Sequence, residues 1–390
     1  MFNIKNYSTK LLGLQGVIIE NIEDNNGTIE ISVRMERKAH KCPNCGNETN
    51  KIHDYRKQVV TDLELYGKPV KIHLKKRRYV CPHCMKRFCE NISFLPKYFR
   101  RTMRVTESII NSLRKSVSFS HVAKQHHLSI STVIRIFDTI SYKGKPMPKV
   151  LLIDEFKGNA DKEKFQCILM DGETKEIIDI LPSRKSADLQ LYFSKKDTSA
   201  VKFLVSDLWK PYRDLCRLCF RNSKHVADKY HVIRQSLWAL DAIRRDEQKQ
   251  LNKNSRLRFK HCSYLLKKNR EKLKPEEKIK VNQILSASQP IAEAYYLKEF
   301  FREVFKSQTR EEAFENLKKW CEESGNSELT RFEKCANTYS EWSKSILNSI
   351  EYRYTNGAIE GMNNKIKVLK RISYGVQNFK RFRNRIFHLD

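Results

Sequence analysis

The sequence has no long apolar run. No window approaches the roughly 18 consecutive apolar residues that would indicate a membrane-spanning helix. The opening segment, MFNIKNYSTK, lacks the hydrophobic centre of a signal peptide, and we find neither an internal repeat nor a low-complexity tract. We therefore expect a folded cytoplasmic protein that has no membrane partner.

Acidic residues are few in comparison with basic ones. The chain has 45 aspartates and glutamates against 76 lysines and arginines, a net charge of +31, and the excess is spread over its whole length. Such a surface repels itself unless a polyanion neutralises it, which indicates a DNA or RNA partner. A basic structural protein could have the same charge balance, but it would not need the carboxylates described below.

Eleven cysteines, an odd number, argue against a disulfide framework and for metal ligands and buried thiols. Two CPxC turns can together complete a tetrahedral zinc shell. We therefore predict a structural zinc site formed by Cys42, Cys45, Cys81 and Cys84. His53 and Cys89 are possible substitute ligands. A further CxxC, from Cys216 to Cys219, lies in an amphipathic helical pattern without a partner pair, and we interpret its cysteines as buried thiols.

We predict several domains, because 390 residues exceed what one hydrophobic core usually serves. The strand and helix signals along the chain predict a multidomain α+β protein. The proposed segments are a β-rich zinc-binding domain at 1–95, a helix-turn-helix domain at 96–145, the first part of an α/β core at 146–233, an all-helical insertion at 234–350 and a final core helix region at 351–390.

Local signals predict individual elements within these segments. A hairpin is expected within 1–37 around the turn at Asn26 and Gly27. Pro290 and Thr309 occupy positions typical of helix starts. Core strands are expected at 150–156, 165–170, 176–181 and 201–206, with helices at 185–192 and 209–219.

Residues 118–140 have the layout of a helix-turn-helix. Ser129 or Ser131 can cap the second helix, and apolar packing is expected from Val133, Ile134 and Phe137. We expect the exposed positions of this helix to reach a major groove of double-stranded DNA, namely Ser131, Thr132 and Arg135.

Two basic stretches are candidates for contacts to the DNA backbone, which provide affinity without sequence information. The first lies between the two cysteine pairs, and the second is the helical segment near the C-terminus. Their candidate DNA-binding residues are Lys75, Lys76, Arg77 and Arg78 in the first, and Lys365, Lys370, Arg371, Lys380, Arg381 and Arg383 in the second.

Three carboxylates have the context of a two-metal phosphoryl-transfer site. Asp154 and Asp207 each lie within or after a short apolar strand, and Glu360 lies at the start of a basic helical stretch. Mg²⁺ and Mn²⁺ prefer oxygen ligands, and two such ions need carboxylates that converge from different elements. Glu155 would point to the opposite face of the strand from Asp154. Asp179, like Asp171 and Asp188, is interpreted as an ordinary solvated acid.

Asp228 and His231, in HVADKYHV, are candidates for contacts to the ligands or to DNA, as are Asn363 and Lys367 in the basic helix. Asp228 also follows an apolar run. It therefore remains an alternative to Asp207 as the second metal ligand.

In their order along the chain these motifs resemble DDE-type transposases of bacterial insertion sequences, of the ISL-three family. The resemblance covers almost the whole chain and rests on the CPNC and CPHC pair, the helix-turn-helix, LLIDEF, VSDLWKPY, DKYHV and NGAIEGMNNKIKVLKRISYGVQNFKRFRNRI. It implies a ribonuclease-H-like core in which Asp154, Asp207 and Glu360 match the catalytic triad, with a zinc finger and a helix-turn-helix that bind terminal inverted repeats.

The resemblance implies a transposase that cleaves DNA in a metal-dependent reaction and then transfers the strand. Synapsis of two ends implies a homodimer or a higher oligomer, acting at the bacterial nucleoid. Two alternatives remain open on the sequence. One is a zinc-containing DNA-binding regulator without catalysis, and the other is a structure-selective nuclease.

Overall fold

The structure, a computed structural model, describes residues 12–14, 16–158, 160–250, 253–374 and 377–389. The chain forms two compact units. The first contains Met1–Tyr142, Val368–Gly375 and Lys380–Asp390, and the second contains Lys143–Lys367 and Val376–Phe379. The segment predicted as one core region, 351–390, is therefore divided between the two units.

The first unit begins with a twisted sheet whose strands are joined by tight hairpins. Asn26 and Gly27 have φ angles of 51° and 80°, and Tyr66 and Gly67 have 52° and 73°. Positive φ at both loop residues is the geometry of a two-residue hairpin turn, so the hairpin predicted at Asn26 and Gly27 is observed. The strands are β1 (Val17–Asn25), β2 (Thr28–Met35), β3 (His40–Lys41), β4 (Glu48–Thr49), β5 (Ile52–Leu65), β6 (Lys68–Val80) and β7 (Arg87–Cys89).

The order in the larger sheet is β1-β2-β6-β5, and β7 pairs with β6. Strand β2 runs parallel to β6, whereas β5 and β6 form an antiparallel hairpin. Alternate residues of these strands face one apolar core, which includes Ile31, Val33, Val60, Val70, Ile72 and Leu74. Strand β6 leads directly into the second CPxC turn, as its alternating pattern predicts.

Three helices follow in the same unit: α1 (Met103–Ser112), α2 (Phe119–Gln125) and α3 (Ile130–Phe137). The Ser129 side chain accepts a hydrogen bond from the backbone N–H of Thr132 and so caps α3. Val133 and Phe137 are buried as expected. The third buried residue of α3 is Ile136, whereas Ile134, which was predicted to pack in the core, is half-buried.

The C-terminal helix α15 (Phe379–Phe387) packs against these three helices. Arg385 is buried, and its guanidinium donates to the backbone carbonyls of Leu113 and Val117, which follow α1. His388 stacks edge-on against Phe137, with 5.5 Å between ring centroids. The end of the chain therefore completes the core of the helix-turn-helix.

The second unit is built around a five-stranded sheet with the order β10-β9-β8-β11-β12. Strand β9 is antiparallel to both β8 and β10, whereas β11 and β12 run parallel to β8. The first four strands lie within two residues of the predicted ones, and β12 was not predicted. The elements are β8 (Val150–Phe156), β9 (Gln166–Asp171), β10 (Ile177–Leu181), α4 (Ser186–Phe193), β11 (Phe203–Ser206), α5 (Lys210–Cys219) and β12 (Lys224–Ala227).

A block of helices follows β12 and has an apolar core of its own, in which Phe301, Trp320 and Tyr339 stack together. Its first helix begins at Lys229, earlier than the predicted boundary at 234. The predicted helix starts at Pro290 and Thr309 are observed. The helices are α6 (Lys229–Lys249), α7 (Lys253–His261), α8 (Ser263–Lys267), α9 (Pro275–Ala287), α10 (Gln289–Val304), α11 (Arg310–Asn326), α12 (Thr330–Glu341), α13 (Ser343–Tyr352) and finally α14 (Gly357–Ile372).

Across the described part of the chain, no helix combines the length and the apolar character needed to cross a membrane.

Candidate active site and zinc centre

Asp154 lies on β8, the central strand of the second sheet. Its Oδ2 accepts a hydrogen bond of 2.9 Å from Nδ2 of Asn363, which is carried by α14. Its Oδ1 accepts one of 2.8 Å from the backbone N–H of Glu155. Burial, and then the nearby charge of Asp207, raise the pKa of Asp154 to about 7. The raised pKa thus reflects a buried carboxyl group with a second carboxylate nearby.

Glu155 faces other elements, as expected for the next residue of a strand. It accepts a hydrogen bond of 3.1 Å from the Tyr212 hydroxyl and one of 2.6 Å from Arg184. The guanidinium of Arg184 also lies over the rings of Phe165 and Trp209. Glu155 is thus occupied by an internal ion pair.

Asp207 follows β11 and lies beside the end of β12. Nδ1 of His231 is 2.6 Å from Oδ1 of Asp207 and 2.8 Å from Oδ2 of Asp228. Burial lowers the pKa of His231, but the hydrogen bonds with the two carboxylates outweigh this effect and raise it to about 9. The charged imidazole therefore bridges the two aspartates. Among the described residues, the potential metal-binding atoms at this site that lie within 4.8 Å of one another belong to Asp207, Asp228 and His231.

Asp228 is buried and is occupied by backbone and side-chain donors. It caps α6 by accepting from the N–H of His231, and its Oδ1 accepts a hydrogen bond of 3.0 Å from the N–H of Asn356. Burial opposes ionisation, but the hydrogen bond with the His231 imidazole and that from the N–H of Asn356 lower the pKa of Asp228 below its usual value. Asp228 therefore acts as an acceptor that joins the end of β12 to the residue before α14.

Asn356 connects α14 to the strand that carries Asp154. It is 4% exposed, and its Nδ2 donates to the carbonyl of Ile153 at 3.2 Å. Its own carbonyl accepts from the N–H of Glu360 at 3.1 Å. Sequence reasoning missed this residue, although an asparagine directly before a helix is a recognised start signal.

Glu360 lies in the first turn of α14, three residues before Asn363, and its side chain is exposed. Residues three apart on a helix are neighbours on its surface. Because Asn363 contacts Asp154, the turn that bears Glu360 is held near the central strand that carries Asp154.

The four predicted zinc ligands come together in the first unit. The Sγ atoms of Cys42 and Cys84 are 3.5 Å apart and those of Cys45 and Cys81 are 3.6 Å apart, and all four lie within 4.8 Å of one another. This tetrad has the composition and the compactness of a structural zinc site. The alternatives His53 and Cys89 are not members of the group.

Both cysteine turns have the same backbone geometry. The N–H of Gly46 donates to the carbonyl of Cys42, and the N–H of Met85 donates to the carbonyl of Cys81, each at 2.9 Å. Gly46 and Met85 both have positive φ, 76° and 57°. A hydrogen bond from the N–H of Lys86 contributes most to lowering the pKa of Cys84, whereas burial and the neighbouring thiols raise the pKa of Cys45.

Three family models match this chain. The family model described as a transposase, of the ISL3 type, matches residues 151–386. A model for the zinc finger of the IS204, IS1001, IS1096 and IS1165 transposases matches 38–84, and one for the helix-turn-helix domain of transposase family ISL3 matches 90–141.

This chain belongs to the ISL3 transposase family. The transposase of insertion sequence IS1001 from Bordetella parapertussis is 24% identical over 387 residues, which cover 95% of this chain and 94% of the relative. The transposase of IS1557 from Mycobacterium tuberculosis is 24% identical over 241 residues, 55% of this chain and 54% of the relative. The protein is therefore a DNA-binding transposase with a structural zinc site.

Within this ISL3 transposase, one predicted DNA contact is contradicted. Arg77 is 4% exposed, and its guanidinium is 3.2 Å from the Glu90 carboxylate and 2.9 Å from the carbonyl of Met35. It is an internal ion pair and cannot lie along a phosphate. On the same strand Lys75 is exposed, whereas Lys76 and Arg78 are half-buried, and Arg78 pairs with Asp54 at 2.9 Å.

On the second helix of the helix-turn-helix, Ser131 and Arg135 are exposed and Thr132 is half-buried. An Arg135 guanidinium nitrogen lies 3.3 Å from the Thr132 hydroxyl, which is itself 2.8 Å from the Ser129 hydroxyl. The predicted residues therefore share one surface, and Thr132 also supports the helix start.

The predicted basic residues near the C-terminus lie in different environments. Arg381 pairs with Asp138 at 2.7 Å, and Arg383 donates to the carbonyl of Tyr142 at 2.7 Å, so both also hold α15 in the first unit. The remaining candidates lie on α14 and α15 with solvent-accessible side chains. They are the exposed Lys365, Lys367, Arg371 and Lys380, and the half-buried Lys370.

Two further sequence interpretations have clear outcomes. Cys216 is buried and Cys219 half-buried on α5, and Cys216 contacts the Ser223 hydroxyl at 3.1 Å, which agrees with buried thiols. The interpretation of Asp179 as a solvated acid was wrong. It is 6% exposed on β10 and accepts a hydrogen bond of 2.9 Å from the Tyr192 hydroxyl.

Proposed function

We propose that this transposase is a DDE enzyme, in which Asp154, Asp207 and Glu360 hold divalent metal and cut DNA at the ends of an insertion sequence. The hydrogen bond between Asn363 and Asp154 carries the proposal, because it ties the helix of Glu360 to the strand of Asp154. Asn363 and Asp154 are 209 positions apart in the sequence.

The topology of the second unit supports a ribonuclease-H-like core. Three antiparallel strands are followed by two strands parallel to the first, and the first strand lies in the centre. Asp154 is on that central strand, and Asp207 directly follows its parallel neighbour β11. The helical block from α6 to α13 lies between β12 and α14 in sequence, as expected of an insertion that returns the chain to the core.

The donor set fits magnesium or manganese. Both ions prefer carboxylate oxygen, and the pKa of about 7 at Asp154 reflects burial and a neighbouring carboxylate, a situation that a bound cation would relieve. Asp154, Asp207 and Glu360 would be the ligands. The metal would supply charge neutralisation at the phosphate and activation of a water or a 3′-hydroxyl.

The protein's own groups orient these carboxylates. Asn363 donates a hydrogen bond to Asp154. The imidazole of His231, whose Nδ1 is hydrogen-bonded to Asp228, forms an ion pair with Asp207. Such supporting hydrogen bonds hold ligands in place. Asp228 already accepts from the backbone of α6 and from Asn356, which favours Asp207 over Asp228 as the second ligand.

We further propose that the zinc-binding domain and the helix-turn-helix bind the terminal inverted repeats, and that synapsis of two ends requires at least a dimer. Strand transfer would follow cleavage at the same site. No observation in the structure or among the relatives favours the alternative of a regulator without catalysis.

The test is incubation of the purified protein with the DNA that flanks its own gene, in magnesium, with the ends mapped at nucleotide resolution. We expect cuts at the two element ends that depend on the metal. Specific binding of these ends without any cleavage would instead support the regulator.

A further inference from the structure

The outer face of α6 carries a stripe of two exposed aromatic residues and one half-buried arginine. Tyr230, Arg234 and Trp238 recur at intervals of four residues, which places them on one side of the helix. The tyrosine is 55% exposed and the tryptophan 56%. The opposite side packs into the helical block through Val232, Ser236, Ala239, Leu240 and Ile243. We name this set of Tyr230, Arg234 and Trp238 the α6 stripe.

The three side chains of the α6 stripe form a continuous column. The Arg234 guanidinium carbon lies 5.4 Å from the centroid of the Tyr230 ring and 4.6 Å from that of Trp238. Eight residues of helix rise about 12 Å, which is long enough to meet more than one nucleotide.

The stripe starts at the proposed catalytic site. The ring of Tyr230 is perpendicular to that of His231, with 5.6 Å between centroids, and His231 bridges Asp207 and Asp228. The stripe therefore extends along α6 from His231, which contacts the two carboxylates.

Exposure of this tryptophan calls for a ligand that offers a flat face. The other tryptophans, at 209, 320 and 342, are half-buried or buried. Unpaired bases stack on exposed aromatic rings and on arginine. Paired bases do not present their faces. The net charge of +31 favours a polyanion over a second copy of this equally basic chain.

We propose that the α6 stripe is a binding site for unpaired DNA bases, which stack on Trp238 and Tyr230 beside the cleavage site. The proposal rests on the proposed function for its location, but the binding it describes does not require cleavage. Enzymes that act within a duplex often need a base displaced from the stack, and the stripe would hold one.

The test measures binding by fluorescence anisotropy without added divalent metal, so that loss of catalysis does not affect it. The probes are a labelled single-stranded oligothymidylate and a labelled duplex of equal length. We expect Trp238→Ala to weaken binding of the single strand about tenfold and to change duplex binding less than twofold. Trp238→Phe should retain binding within about twofold, because a ring remains.

Tyr296→Ala is the matched control, since Tyr296 is also 55% exposed but lies on α10. Thermal unfolding confirms that each variant is folded. Unchanged binding of the single strand by Trp238→Ala would overturn the proposal. The proposal would also be overturned if Trp238→Ala lost as much affinity for the duplex as for the single strand, or if Tyr296→Ala lost as much affinity for the single strand as Trp238→Ala. A change of oligomeric state in Trp238→Ala without any change in DNA binding would assign the stripe to a protein contact instead.

The catalytic proposal is tested by cleavage, whereas this proposal is tested by DNA binding alone. If the catalytic assignment fails, the affinity difference between Trp238→Ala and Trp238→Phe still stands or falls by itself.

Discussion

Nδ2 of Asn363 donates a hydrogen bond to Oδ2 of Asp154 over 2.9 Å, and so joins the helix that bears Glu360 to the central strand of the sheet. Asn363 is 7% exposed. Under the proposed function its role is to position a carboxylate ligand, while Glu360, exposed one turn earlier, would face the metal and DNA.

Replacement of Asn363 by alanine should lower single-turnover cleavage by about 10- to 100-fold, the usual effect of losing a hydrogen bond to a metal ligand. DNA binding should not change. Asn364→Ala is the matched control, because that side chain is exposed on the same helix. Equal rates for the two variants would show that the hydrogen bond has no part in the reaction.

Asp207 and Asp228 should respond differently to substitution. Asp207→Asn should eliminate cleavage and lower the free energy of unfolding less than a change at Asp228, because Asp207 is half-buried whereas Asp228 is buried. Asp228→Ala should lower that free energy by about 1–3 kcal/mol, because buried N–H groups of α6 and Asn356 lose their acceptor. Urea unfolding and single-turnover cleavage measure the two effects. A stable Asp228→Asn variant without cleavage, beside an active Asp207→Asn variant, would exchange the roles.

Magnesium should stabilise the protein more at about pH 8 than at about pH 6. The pKa of Asp154 is raised from 3.8 to about 7, so the folded, metal-free protein holds a proton there that the unfolded chain has released. The free energy of unfolding of the metal-free protein therefore falls as pH rises from 3.8 to about 7. The metal needs the ionised form and competes with that proton.

Thermal unfolding with and without magnesium at the two pH values measures this linkage. Asp154→Asn is the control and should remove the pH dependence of the shift. Equal shifts at both pH values in the wild-type protein would contradict the linkage.

Removal of a zinc ligand should abolish zinc binding by the first unit. Cys81→Ser should reduce bound zinc from one equivalent to almost none and destabilise the protein, because structural zinc contributes directly to folding. Metal analysis of the purified protein checks this. Cys216→Ser, in the unpaired CxxC of α5, should keep its zinc. Loss of zinc from both variants would indicate a general effect of folding.

Much of the core could be predicted because its signals are local. Strand β8 is an unbroken apolar run before Asp154, and the hairpin at Asn26 and Gly27 needs only residues that tolerate positive φ. Strand β12 was missed since it has only four residues and begins with the polar Lys224 and His225.

The errors concern residues whose partners are distant in sequence. The basic sequence around Arg77 predicts an exposed side chain. In the structure it is buried, because Glu90, which directly follows β7, neutralises its charge in the interior. Asp179 is buried because Tyr192 of α4 supplies a donor. The positioning role of Asn356 depends on Ile153 and Asp228, which no local pattern connects to it.

The central claim is that Glu360 completes a catalytic triad with Asp154 and Asp207. The most direct test is single-turnover cleavage of the element's end DNA in magnesium by Glu360→Gln, with end binding measured on the same preparation. Because the side chain is exposed, we expect the variant to fold, to keep its zinc and to bind the ends with wild-type affinity, but to make no cut. Cleavage at the wild-type rate would contradict the catalytic assignment.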